Sequence, residues 1–293
     1  MFEKILVATD LSGAGDRLVR TVGGLKALGT REVVLIHALN FREEGMLLAS
    51  LMEQAEPELE REAELLREQE LEVTSDTVVG APHTVINKVA EEQDCALIVV
   101  GSHGRTMATD IMLGGVANAV THSATRPVLI LRMNLKDEDS EPTSDNISIS
   151  CEPLKHVLFP TDFSDNAQRA FEYLKDLAGY GLKRATLFHV QDSAKLDPHL
   201  ANHIDEFNRI DTERLERMKA ELKSAGTQDV RFELPFGSPK KEILERSNQK
   251  DVSLVVMGSQ GRGFISELLL GSVSYSVARR SKAPVLLIPP SKK

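Results

Sequence analysis

The segment EKILVATDLS at 3–12 is written again as KHVLFPTDFS at 155–164, and the echo runs on through the chain. LIHAL (35–39) returns as LFHVQ (187–191), and GAP (80–82) as GSP (237–239). LIVVGSHGR (97–105) returns as LVVMGSQGR (254–262), and RPVLIL (126–131) as APVLLI (283–288). The offset is 152 residues for the first two pairs (3 to 155) and 157 for the rest (80 to 237). One connection between His37 and Gly80 therefore absorbs the whole difference. A repeat of this length means one fold written twice. The predicted division is a first domain at 1–133, a linker at 134–153 and a second domain at 154–293. The linker NLKDEDSEPTSDNISISCEP is acidic and polar with no apolar period, the composition of flexible coil.

Each copy alternates short apolar runs with helical patterns. In the second, HVLFPTD reads as a buried strand, and Ser164 is placed to cap a helix. Ala167, Ala170, Phe171, Leu174, Leu177 and Ala178 give that helix an apolar stripe. ATLFHV follows as strand two, a charged helix covers about 203–225, and VRFELPF is strand three. A helix from Pro239, the strand VSLVVMG, a helix after Gly271 and the strand PVLLIP complete the copy. Alternating βα units predict an α/β fold: two tandem doubly wound parallel five-stranded sheets, Rossmann-like, with strand order 3-2-1-4-5. Trp is absent and aromatics are 4% of the chain, so Val, Leu, Ile and Ala must form the core, as suits strands buried on both faces.

A net charge of −9 argues against nucleic acid as a partner. No apolar run approaches the ~18 residues of a membrane span. The first strand begins almost at once, so neither membrane nor secretion is expected and the predicted location is cytoplasmic. The two cysteines form no disulfide framework; Cys95 reads as a small buried hydrophobe and Cys151 as exposed. No metal-ligand spacing is visible.

In an open parallel sheet, ligands bind beyond the carboxyl ends of the strands where strand order reverses. Two motifs reach that edge in each copy. Strand one ends in Pro160, Thr161 and Asp162, and in the first copy in Ala8, Thr9 and Asp10. Strand four runs into Met257, Gly258, Ser259, Gly261 and Arg262, matched by Val100, Gly101, Gly104 and Arg105. The next helix opens with Gly271, Ser272, Val273 and Ser274, against Gly114, Gly115 and Val116. Glycines let backbone amides approach phosphate oxygens, and a helix start favours an anion. An ionised aspartate accepts hydroxyl protons such as those of a ribose, and Arg262 is placed to neutralise phosphate.

Gly258, Gly261, Gly271 and Ser272 follow the spacing G-x2-G-x9-G-S/T, and with Asp162 in FPTDFS the chain resembles the universal stress protein family. The resemblance covers both copies and implies a tandem member. It implies ATP or AMP as ligand, with any Mg²⁺ held by the phosphates, and a regulatory role in the stress response. Adenine and ribose would lie near Asp162 and the strand-two end at Val190, with Ala38 the weaker counterpart. Phosphates would lie on the glycine loop. The first copy has Gly115 where the second has Ser272, so the stronger site is expected in the second. The family's dimers also suggest that the two halves form an internal pseudo-dimer through their fifth strands, with a further homodimer as an option.

The remaining residues read more plainly. His37 and His189 recur at the end of strand two and are expected to be packed and hydrogen-bonded. His103 stands where the other copy has Gln260 and reads as a loop residue; the Glu-rich stretch 53–72 reads as a solvated helix face. No general base or recurrent lysine flanks the glycine loops, so binding without catalysis is expected. A slow ATPase or nucleotidyl-transfer enzyme and a non-binding scaffold are the alternatives.

Overall fold

The computed structural model describes residues 1–40, 48–102, 113–132, 152–192, 204–262 and 270–291. The chain divides into two compact units, Met1–Glu152 and Pro153–Pro290. The expected linker lies almost wholly outside the described residues, as do Cys151, His103, Gly104 and Arg105.

In the first unit, β1 (Lys4–Thr9), β2 (Glu32–Leu39), β3 (Glu72–Val79), β4 (Leu97–Gly101) and β5 (Val128–Leu131) are all parallel, in the order β3-β2-β1-β4-β5. Helices α1 (Gly13–Thr21), α2 (Leu48–Arg67), α3 (Pro82–Glu92) and α4 (Gly115–Ser123) join them. Each strand is a run of Val, Ile and Leu because both faces of a parallel sheet are covered. Ile5, Leu6, Val7, Leu97, Ile98 and Val99 are fully buried. Cys95 is buried too.

The second unit repeats the plan with β6 (Val157–Pro160), β7 (Arg184–Phe188), β9 (Asp229–Glu233), β11 (Leu254–Gly258) and β12 (Val285–Ile288). Their parallel pairing gives β9-β7-β6-β11-β12, the same 3-2-1-4-5 order. Its helices are α5 (Asp165–Gly179), α6 (Ile204–Ser224), α7 (Pro239–Ser247) and α8 (Ser272–Arg280). Ser164 caps α5 as expected, its side chain accepting from the Ala167 amide.

One strand departs from expectation. VRFELPF is not continuous: it ends at Glu233, and a separate two-residue strand β10 (Phe236–Gly237) pairs with β8 (Gln191–Asp192). Pro235 has no N–H to give the ladder. Val78 holds that place in the first unit, where β3 runs unbroken and Val78 pairs with Ala38. Among the described residues, no helix is long and apolar enough to cross a membrane.

Candidate functional site

The turn after strand one follows the same plan in both units. Asp162 Oδ1 accepts the Ser164 amide at 3.0 Å, and Thr161 Oγ1 accepts the Phe163 amide at 3.1 Å. In the first unit Asp10 Oδ1 accepts the Ser12 amide at 3.1 Å, and Thr9 Oγ1 accepts the Leu11 amide at 3.1 Å. The price of so tight a reversal is a left-handed residue that is not glycine, Leu11 at φ 56° and Phe163 at φ 58°.

The second unit encloses a cavity of about 820 Å³ at the carboxyl edge of its sheet. That volume suits a drug-sized or nucleotide-sized ligand. Pro160, Thr161 and Asp162 reach it from β6 and Val190 from the end of β7. Met257, Gly258, Gly261 and Arg262 reach it from β11 and its loop. Gly271, Ser272, Val273 and Ser274 reach it from the start of α8. Ser259 is the expected residue of this copy that does not line it. Its amide donates to Ile288 O at 2.8 Å and its carbonyl accepts from Gly271 at 2.7 Å, so it ties the loop to its surroundings.

Asp162 does more than face the cavity. Its Oδ2 accepts the Arg262 amide at 2.8 Å, which fixes the glycine loop against strand one. Gly261 is required for that approach, since a Cβ there would fall 2.7 Å from Asp162 Oδ2. Gly258 serves a second close approach: a Cβ would fall 2.7 Å from Asn166 Oδ1 and 3.1 Å from the Asn166 carbonyl oxygen. Asn166 staples the loop to β12, accepting from the Gln260 amide at 2.8 Å and donating to Ile288 O at 3.1 Å. Two of the signature glycines thus have a packing role beside any role toward phosphate. A carboxylate has about four acceptor positions, so Asp162 keeps capacity for a ligand hydroxyl after its two amide bonds.

The helix starts are the other feature. α5 is capped by a side chain, but α7 and α8 begin without any side-chain cap, and their first residues line the cavity. The start of α8 is the positive end of a helix and favours an anion. α7 offers less, since its first residue Pro239 has no N–H and the Lys241 amide donates to Ser238 O at 3.0 Å. Ser272 is exposed at the first position of α8, whereas the Ser274 hydroxyl is spent on Gly258 O at 2.9 Å.

Several cavity residues lay beyond the repeat motifs. Lys240 comes from α7, and Asp211 and Arg214 come from α6. His189 is buried with Nδ1 2.7 Å from Thr161 O, and His37 matches it with Nδ1 3.1 Å from Thr9 O. Packing and hydrogen bonding hold both, as expected, but His189 also lines the cavity, with Nε2 3.5 Å from Asp211 Oδ2. The Phe163 ring lies 4.4 Å from the His189 ring, with the Arg214 and Arg262 guanidinium groups 5.2 and 6.0 Å from its centre. The left-handed turn aims this ring, and no spacing rule signals it.

In the first unit, Ala8 and Thr9 end β1, Asp10 follows, Ala38 lies in β2, and Val100 and Gly101 end β4. Gly114 is the uncapped start of α4, Gly115 its first residue, and Val116 is exposed. A Cβ on Gly115 would meet nothing within 4 Å. Ala14 stands where Asn166 stands, so the loop staple is missing.

One expectation fails here. The stretch 53–72 is not uniformly a solvated face: Glu62 is fully buried, on the face of α2 that buries Leu59, Ala63 and Leu66. Burial, with the nearby Asp16 and Asp10 carboxylates, pushes Glu62 up to about 7 against the pull of the Thr9 hydroxyl and the Arg61 guanidinium. Among the described residues, no group of three or more His, Cys, Asp or Glu side chains is arranged to hold a metal ion.

Two successive open parallel sheets, each with an aspartate turn and a glycine-started helix at the point where strand order reverses, define a tandem Rossmann-like protein. Residues 1–132 and 153–289 each match the universal stress protein family. The chain belongs to that family, as a tandem member. It is 30% identical over 155 residues to universal stress protein MJ0577 of Methanocaldococcus jannaschii, covering 45% of this chain and 96% of that one. It is 31% identical over 143 residues to YxiE of Bacillus subtilis, covering 45% and 97%. A solved universal stress protein from Archaeoglobus fulgidus shares the fold, with a TM-score of 0.78 at 24% identity over 99% of both chains.

Proposed function

We propose that the second unit binds an adenine nucleotide, ATP or AMP, and that the chain acts as a nucleotide-dependent regulator in the stress response, in the cytoplasm. The observation that carries this reading is the pairing across one cavity of the Asp162 carboxylate with the uncapped start of α8. A ribose suits the first and phosphate the second. Arg262, Lys240 and Arg214 supply cations around the same space. A Mg²⁺ would be held by the phosphates, since the cavity offers no ligand cluster of its own among the described residues.

Calorimetric titration of ATP into wild type, Asp10→Ala and Asp162→Ala tests the reading. Asp162→Ala is expected to abolish the tightest binding, because it removes the acceptor and frees the glycine loop. Asp10→Ala is expected to leave that binding intact, and the reverse result overturns the assignment. Mass spectrometry of nucleotide released from the purified protein identifies the ligand.

The fifth strands support a companion proposal. Val128–Leu131 and Val285–Ile288 each close the strand order of their own unit and are wholly apolar. An apolar edge is one a protein normally covers, and the two are proposed to associate as an internal pseudo-dimer. Cysteines introduced in pairs, one per strand, should form a disulfide in at least one register; failure in every register overturns the idea.

A further inference from the structure

Phosphate at the start of α8, which joins β11 to β12, and ribose at Asp162, which follows β6, leave the base to the next strand over, β7. The chain leaves β7 for β8, and Gln191 stands there as a cavity-lining residue. Its backbone is fixed beside the break at Pro235. The Gln191 amide donates to Pro235 O at 2.9 Å, and Gln191 pairs with Phe236 across the two-stranded sheet. Its side chain is fixed by α6, with Nε2 donating to Asp211 Oδ2 at 3.3 Å. Asp211 is itself set in place, with His189 Nε2 3.5 Å from the same oxygen and Arg214 Nη1 3.7 Å from the other. Only 16% of the Asp211 side chain is exposed. A carboxylate accepts and does not donate, so the amino end of the Gln191 amide must face it. The carbonyl end, Oε1, accepts from no donor among the described residues. Turning the amide over would set two acceptors against each other.

We propose that Gln191, held by Asp211, selects the base: its Oε1 accepts from the exocyclic amine of adenine and rejects a purine with a carbonyl at that position. The proposal rests on the nucleotide reading above. Adenine presents an N–H₂ donor where an oxo-purine such as guanine presents an oxygen acceptor. An oxo-purine would therefore bring its oxygen against Oε1. Rotation of the amide would relieve that contact, and Asp211 blocks the rotation. The selectivity is built as much from this repulsive element as from the attractive one. An unpaired or opposed polar group at a desolvated contact lowers affinity on the order of tenfold to a hundredfold. Gln191 is the residue that touches the ligand, and Asp211 is a positioning residue that acts through it.

The test is calorimetric titration of ATP, and of inosine triphosphate, which carries the carbonyl in place of the amine, into the full chain. Wild type should bind ATP about tenfold or more tightly than inosine triphosphate. In Asp211→Asn the Gln191 amide can turn, because asparagine offers both a donor and an acceptor. Inosine triphosphate should then gain about tenfold while ATP changes little. In Gln191→Leu the preference should fall for the opposite reason, through loss of ATP affinity. A merely structural role for either residue would weaken both nucleotides together and leave their ratio unchanged. Equal binding of the two nucleotides by wild type, or a preference that survives either substitution undiminished, overturns the proposal and leaves the nucleotide reading standing. Failure of wild type to bind either nucleotide overturns the nucleotide reading, and the selectivity proposal with it. The wild-type comparison needs no substitution, so a variant that does not fold leaves the proposal open to refutation.

Discussion

Ionising Glu62 forms a charge inside α2's packed face, and that charge should register in stability. Its unfolded value is the ordinary 4.5 and its folded value about 7. Below the first value the acid is neutral in both states and costs nothing. The penalty grows as pH rises from 4.5 to 7 and is complete above 7. A shift of that size corresponds to ~3 kcal/mol at full burial, and with screening about 2 kcal/mol is the expected gain from Glu62→Gln at pH ~8. The gain should vanish as pH falls toward 4.5, which chemical denaturation across the range will show. At the phosphate end, Ser272→Ala should weaken ATP binding tenfold to a hundredfold, about the worth of one hydrogen bond to a charged group. Gly115→Ser has open space for its side chain.

The glycine loop of the second unit is held as an element, by Asp162 on one side and Asn166 on the other. Asn166→Ala should remove the bond to the Gln260 amide and one of the two bonds to the Ile288 carbonyl, which keeps the Ser259 amide, at about 1–3 kcal/mol of local stability. Hydrogen exchange should rise at Gln260 and Arg262 while the β6 amides stay protected; unchanged exchange in the loop would refute the staple. The repeat spelled out the strands, their order and the glycine spacing, because apolar runs and glycines at fixed intervals are local signals. Asn166 was not legible, since an asparagine in a first helical turn reads as ordinary N-terminal chemistry and its partners lie far along the chain. Arg214 and Glu62 were not legible either. Both sit in charged helices where a buried or cavity-facing residue looks like its solvated neighbours. Pro235 was visible in the sequence, but that it divides strand three depends on a ladder only the fold supplies.

At the scale of the whole molecule, two units of one fold, the second carrying the proposed nucleotide site, should melt as two transitions that respond differently to ligand. ATP at about a hundred times its dissociation constant should stabilise one unit by ~2.7 kcal/mol. Scanning calorimetry at pH ~8 should therefore move one transition and leave the other, and Asp162→Ala should abolish the movement. Equal displacement of both would show that the units do not respond separately. Because the fold occurs twice, the left-handed turn after each strand-one aspartate also occurs twice, at Leu11 and Phe163. In a saturation mutagenesis scan, replacing a large apolar residue by glycine is ordinarily among the most damaging changes. At position 11 the order should invert, with glycine and asparagine enriched among survivors, because only backbone strain is relieved there. At position 163 the same substitutions also remove a ring that contacts His189 and two guanidinium groups. The difference between those two columns of the scan would measure, within one polypeptide, how much of the turn is kept for the path of the chain and how much for the aromatic it carries.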